Sequence, residues 1–378
     1  MSSCAPNTFT RSVKPHLQGT STQPGLARRL KTSTERGRIS FCPYAAARAK
    51  QKGRKGPKGN QKRSGGASGG EKRNANAIVD PLVRMREFEK DETLMFQPIP
   101  GDPNALQIVY AYPNTYSVGI TSLGYQLVWA FFATSPAVSV SRWFTDASDA
   151  LPANPALLGF SFSWELDYVN ILSSLEGLGL PLRSSERSDG MPLVFGGGPV
   201  LTANPEPFAE FFDVILLGDG EEMLQEFVDA VRATTGASGS REDVLTALSQ
   251  IPGIYVPSLY SVTYSAPDGE IVAITPQNAM VPAFVEKRTY KGGTLATSTV
   301  VSPIMAWEDI FMVEVVRSCP EMCRFCLASY LTLPFRAAPV EGSLIPSIEK
   351  ALKARFPLLI PLSQARHFPP LARGVFRL

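Results

Sequence analysis

Histidine is almost absent from this chain. His16 and His367 are the only two in 378 residues, and none lies between 17 and 366. A Ser-His-Asp triad or a multi-histidine metal cage would have to draw on His367, in a Pro-rich stretch close to the last residue. Chemistry built on imidazole is thereby excluded from most of the chain. Cysteine is scarce too: Cys4, Cys42, Cys319, Cys323 and Cys326 are all there are. A disulfide framework spreads cysteines through a chain, whereas three of these five sit within eight residues, which argues against an oxidising compartment. No stretch approaches the ~20 apolar residues of a bilayer span. Acidic residues are nearly missing from the first 73 positions, which hold 17 Lys and Arg against Glu35 and Glu71, a net +15; the remainder holds 20 against 32 acids, a net −12. Basicity therefore belongs to one tail, which weakens a nucleic-acid reading of the body.

What is present divides the chain into five parts: a basic tail (1–77), a linker with a helix (78–103), an α/β segment (104–237), a helix and β-hairpin connector (238–302) and a C-terminal segment (303–378). The tail is rich in Ser, Thr, Lys and Gly and cannot bury a core. Its hydroxylated, basic, acid-poor composition reads as an organelle transit peptide, plastid first, with mitochondrion or cytoplasm as alternatives. Between 104 and 237 short apolar runs alternate with helical periodicity. Strands are expected at Leu106–Tyr112, Ala137–Phe144, Leu157–Phe162, Leu193–Phe195 and Asp213–Leu217. Helices are expected over Ser122–Phe132, around Tyr168–Leu178 and after Gly220. That alternation predicts a parallel, doubly wound sheet. A helix near Arg241–Ser249, a β run over Ile254–Tyr264 and a second over Glu270–Thr275, with a turn at Ala266–Gly269, predict the connector hairpin. A strand over Phe311–Arg317 and a helix over Ser343–Arg355 follow.

The chemistry concentrates directly after the Phe311–Arg317 run. Arg317–Cys326 (RSCPEMCRFC) contains C-x3-C-x2-C. Three thiolates on one loop suit three irons of a [4Fe–4S] cubane, whose fourth iron stays open to a small molecule carrying an amine and a carboxylate. Structural zinc wants four ligands, and only His367 could complete such a set. A loop with incidental thiols is the bland alternative.

This motif, with an aromatic before its last cysteine, resembles the radical S-adenosylmethionine (SAM) superfamily. The resemblance implies that Cys319, Cys323 and Cys326 ligate the cluster. It also implies that Phe325 packs near the SAM adenine, and that a ferredoxin- or flavodoxin-like donor supplies electrons for a 5′-deoxyadenosyl radical. Four turns extend it: Tyr112–Gly119, Gly159–Glu165, Gly196–Pro199 with Asn204–Pro207, and Gly218–Glu222. Together they resemble the Rossmann-like, cobalamin (B12)-binding-type domain that precedes some radical SAM β/α barrels. Open α/β sheets bind ligands at the carboxyl ends of their strands. Thr115, Ser117, Ser161, Ser163, Gly197, Gly198, Gly218, Gly220 and Glu221 are thus the candidate cobalamin contacts. Without a histidine between 17 and 366, any corrinoid here lacks an imidazole ligand; whether one binds is left open by the residues. Residues 303–378 hold room for only the opening units of a barrel of ~250 residues, so the chain is expected to stop inside that barrel. The substrate stays open, and the rival classes are a non-catalytic iron–sulfur fragment and an RNA-associated protein acting through its tail.

Overall fold

The computed structural model describes residues 90, 92–237, 239–267, 269–354, 356 and the backbone of 358–359. The basic tail and its targeting reading lie outside the described residues.

The Leu106–Tyr112 run becomes strand β1 (Leu106–Ala111), apolar and buried except at half-buried Gln107 because both of its faces are covered. β2 (Val138–Trp143) pairs on one side of it and β3 (Leu157–Ser161) on the other. β4 (Leu193–Gly197) and β5 (Val214–Leu216) extend the sheet, all parallel. The order is therefore β2-β1-β3-β4-β5, closed by an antiparallel edge strand, β6 (Ile254–Tyr255). This is the flavodoxin-like order of doubly wound sheets, whose direction of winding switches between β1 and β3.

Helices α1 (Tyr116–Thr121), α2 (Leu123–Ala133), α3 (Tyr168–Gly177), α4 (Met223–Gly236) and α5 (Arg241–Ser249) lie among these strands. Met223, Leu224, Phe227, Val228 and Val231 form the buried face of α4 at helical spacing. Tyr110, Tyr125, Phe132 and Phe195 meet edge-on or stacked at the sheet's centre, with centroids 4.9–6.5 Å apart. One buried charge is tied inside this core. Asp213, just before β5, accepts from the Val194 amide at 2.8 Å and pairs with Arg187 at 2.9 Å and Arg241 at 2.8 Å.

Two expected elements are interrupted. The Ile254–Tyr264 run breaks at Pro257, which has no N–H for a ladder. Its first two residues complete the sheet as β6, and the rest forms β7 (Tyr260–Tyr264), paired with β8 (Ile271–Pro276) in a hairpin. The Phe311–Arg317 run also divides. β9 (Phe311–Met312) pairs in parallel with the backbone of β12 (Leu358–Leu359), and β10 (Val316–Arg317) pairs antiparallel with β11 (Arg336–Ala337). Helix α6 (Ile345–Lys353) comes between β11 and β12, later in its start than the expected Ser343 because Val340–Leu344 forms a wider π-type turn. The described residues thus contain one parallel β/α/β unit here and no closed barrel.

Buried Gln126 of α2 joins the sheet domain to the end of the connector at Thr299 and Val300. Its amide oxygen accepts from the backbone N–H groups of Thr299 and Val300, at 2.8 and 3.1 Å, and its nitrogen donates to Ile120 O at 2.6 Å. Residues 298–300 then lead to β9, where Ser298 and Met312 exchange hydrogen bonds. A second apolar core, Phe311, Val313, Val315, Leu344 and Ala351, lies beneath α6. Among the described residues, no helix is long and apolar enough to cross a membrane.

Candidate functional site

The carboxyl ends of β1, β3, β4 and β5 open onto one cavity of about 460 Å3. Its floor is apolar, with Leu123, Leu127, Phe160, Phe195, Leu216 and Met223 among its walls. Of the nine residues expected to contact a corrinoid, seven line it: Ser161, Ser163, Gly197, Gly198, Gly218, Gly220 and Glu221. Thr115 and Ser117 are not among the lining residues. Thr115 caps α1, and the Ser117 carbonyl accepts from the Thr121 hydroxyl and the Ala306 amide.

The opposite wall comes from the connector through Lys287 and Ala296 and from the C-terminal segment through Glu314, Arg317, Leu331 and Thr332. Arg317, the last residue of β10, holds the two walls together. Its Nη1 lies 3.0 Å from Asp219 Oδ1, its Nη2 2.7 Å from Glu221 Oε1, and its Nε 2.8 Å from Glu314 Oε1. Arg336 of β11 reaches the other oxygen of Asp219 at 2.5 Å. These groups are mostly buried, so the pairs are stronger than surface pairs. Burial alone pushes the Asp219 carboxyl up; the hydrogen bonds from Arg336 and the Tyr290 amide, with the charges of Arg317 and Arg336, outweigh it and hold the group below its ordinary range. Burial likewise opposes the Arg317 charge, but hydrogen bonds to Glu314 and Glu221 hold the guanidinium firmly protonated. The sequence points to Glu221 as a cofactor contact and to Asp219 only as part of the same turn, and it gives Arg317 no role. The missing signal was their pairing partners, which lie about a hundred residues away in the chain.

The sign of the Asp219 shift sets a pH dependence. A carboxyl depressed in the folded state contributes stability that is complete above its unfolded value, near 3.8, and is lost as pH falls through the lower folded value. Urea unfolding of the full chain between about pH 6 and pH 3 should therefore show stability falling in acid. Asp219→Asn should be less stable at neutral pH and show a shallower acid slope. Parallel slopes in the two proteins would remove Asp219 from this account.

Between β10 and β11 runs the loop that carries Cys319, Cys323 and Cys326. All three thiols are free; Cys323 is exposed and the other two are half-buried. Ser318 and Met322 adopt left-handed backbone at φ 70° and 47°. Such conformations cost roughly 1–3 kcal/mol each for residues other than glycine and concentrate at functional sites. Hydrogen bonds from the hydroxyl and backbone of Ser329 lower the Cys326 thiol, favouring thiolate, the metal-binding form. Among the described residues, no three His, Cys, Asp or Glu side chains converge as a ready metal site. By its chemistry the donor set fits an iron–sulfur cluster: three soft thiols on one loop, none spent in a disulfide, one already acidified. None of the three cysteines lines the cavity, and Phe325 stands 91% exposed beside them rather than against it.

Residues 139–257 match the family model described as "Radical SAM proteins, N-terminal". That match runs from β2 to just past β6 and supports a radical SAM-type protein. It ends well before Cys319, so the cysteine loop and the matched domain are independent observations pointing the same way. An uncharacterized protein of Methanocaldococcus jannaschii is 22% identical over 230 residues, 61% of this chain and 42% of that relative. The chain thus spans less than half the length of the relative it matches. No solved structure matches.

Proposed function

We propose that this chain is a radical SAM protein in which Cys319, Cys323 and Cys326 hold a [4Fe–4S] cluster and SAM is the co-substrate. The observation that carries this reading is the placement of C-x3-C-x2-C, on a loop whose stem closes the wall of a cavity in an α/β domain matched to that superfamily. Bound there, the cluster would supply one electron to the SAM sulfonium, breaking a C–S bond to give methionine and a 5′-deoxyadenosyl radical.

The chain's own residues have distinct tasks. The left-handed backbone at Ser318 and Met322 bends the loop on both sides of Cys319 and would serve to bring its thiols onto one cluster. Exposed Phe325 is available to an adenine arriving from solvent. The apolar cavity is within the ~300–1,000 Å3 of small-molecule sites, and its hydroxyls at Ser161, Ser163 and Thr202 offer orientation to a bound substrate or cofactor. A corrinoid there would be held without imidazole. Electrons would come from a small ferredoxin- or flavodoxin-like donor.

The test is spectroscopic. After anaerobic reconstitution and dithionite reduction, adding SAM should change the electron paramagnetic resonance signal of the cluster. Incubation should then release 5′-deoxyadenosine. A cluster that forms but whose signal ignores SAM would replace this reading with that of a non-catalytic iron–sulfur protein.

A further inference from the structure

We propose that Asp219 is a positioning residue that clamps both stems of the cysteine loop at a single carboxylate. This rests on the reading of that loop as the cluster site. Arg317 and Arg336 are direct cross-strand partners in the β10–β11 pair. Like charges opposite one another on neighbouring strands repel and by themselves weaken the pairing. Here one carboxylate from the end of β5 serves both: Asp219 Oδ1 lies 3.0 Å from Arg317 Nη1, and Oδ2 lies 2.5 Å from Arg336 Nη1. The Tyr290 amide donates to Oδ2 at 2.9 Å and so fixes the carboxylate's own orientation.

Everything between these two arginines, residues 318–335, is the loop with the three cysteines. Its internal bonds, Ser318 Oγ to Ser329 O and Tyr330 OH to Met322 O, shape it without tying it to the sheet. From outside the loop, Lys287 donates to Leu333 O at 2.7 Å, and the turn Leu327–Leu331 packs against Pro199–Ala203 beside the sheet. Glu221 shares the turn with Asp219 but reaches only Arg317, hence only one stem. Asp219 alone in that turn holds both. With Gly218 and Gly220 it also lines the cavity, so the group that fixes the thiols belongs to the surface a bound molecule would touch. The charge pattern explains why an acid is required: an uncharged side chain takes away the carboxylate that Arg336 pairs with and leaves Arg317 held by Glu221 and Glu314 alone, which reach one stem only.

The experiment uses the full chain with Cys4 and Cys42 changed to Ser, so that only the loop thiols react. In the metal-free protein, Asp219→Asn should raise the alkylation rate of Cys319, Cys323 and Cys326 by about tenfold, because the loop opens locally more often. Asp219→Glu should recover much of the protection. Asp102→Asn, which breaks a half-exposed pair with Arg232 at 3.0 Å, should leave thiol rates alone. Hydrogen exchange separates clamping from general loosening: amides of 318–335 should speed up while those of β1, β3 and β4 do not. Equal acceleration of loop and sheet, or an unchanged thiol rate, would overturn the proposal. Should Asp219→Asn fold poorly, Arg336→Lys removes the fork at the second stem alone, and loop exchange as slow as in the parent would be equally decisive. Iron content distinguishes the two levels. Absent iron with the thiol contrast intact defeats the cluster reading and leaves the clamp. Full iron in both proteins, with identical resonance signals and thiol rates, defeats the clamp and leaves the cluster.

Discussion

Anaerobic reconstitution with iron and sulfide should load about four irons per chain, and Cys323→Ala should reduce that to near zero. The expected effect is this large because each thiolate serves one iron, and the loop holds no fourth cysteine to replace a lost one. No histidine lies between 17 and 366 to substitute. Cys4→Ser and Cys42→Ser should load as fully as the parent, since both cysteines belong to the basic tail. The same logic separates iron from zinc. A closed zinc site needs a fourth protein ligand, whereas a cluster with one open iron needs three thiols only. The triple Cys319/Cys323/Cys326 alanine variant retaining its iron and sulfide would refute the assignment.

The sheet was legible in the sequence because its inner strands are buried on both faces. Runs such as Leu106–Tyr112 and Leu157–Phe162 can be little else, and the five strands fall within a residue or two of the expected bounds, with β4 extended to Gly197. The strand order could not be read, since nothing local records that β2 and β3 both flank β1. Expectation failed where a run of β-forming residues served two partners. Ile254–Tyr264 belongs partly to the main sheet and partly to the hairpin, and Phe311–Arg317 divides between β12 and β11. Period and propensity see the strand former and not its neighbour.

The site was legible to a similar depth. Turns at strand ends were identified through their glycines and hydroxyls, and seven of the nine chosen residues line one cavity. The ionic cluster behind that wall was not. Asp219 and Glu221 look like ordinary acids at the start of a helix, where they would complement its dipole. Only the fold shows their charges directed at Arg317 and Arg336 instead. Arg317 stands two residues before Cys319, so its environment is also the environment of the thiols. That link between domain and cysteine loop passes through three-dimensional pairing, which no local pattern carries.

The glycines of the cavity divide into two kinds, and substitutions should separate them. Gly218 has φ 99°, and a Cβ there would fall 2.1 Å from the Arg288 carbonyl oxygen. That carbonyl accepts from the Asp219 amide, while the Arg288 amide donates to Leu217 O, so the clash strikes a ladder that cannot move independently. Gly198 is similar, at φ 115° with the Phe162 carbonyl oxygen 2.6 Å from a Cβ. Gly218→Ala should cost roughly 3 kcal/mol or more, from left-handed strain and main-chain collision together. Urea unfolding measures it. Gly197 and Gly220 differ: the nearest atoms to an added Cβ lie at 3.6 and 3.4 Å, ordinary contact. Gly197→Ala should change stability by no more than about 1 kcal/mol. Both residues nonetheless line the cavity, so larger side chains there report on a ligand and not on the fold. Titration of the parent protein with hydroxocobalamin should give saturable binding. Gly197→Val should weaken that binding at least about tenfold while the unfolding midpoint stays near the parent's. A corrinoid bound there should show no nitrogen splitting from a protein imidazole in its Co(II) signal, because the domain has no histidine. Equal affinity in parent and Gly197→Val, or no saturable binding, would show that the cavity is not a corrinoid site.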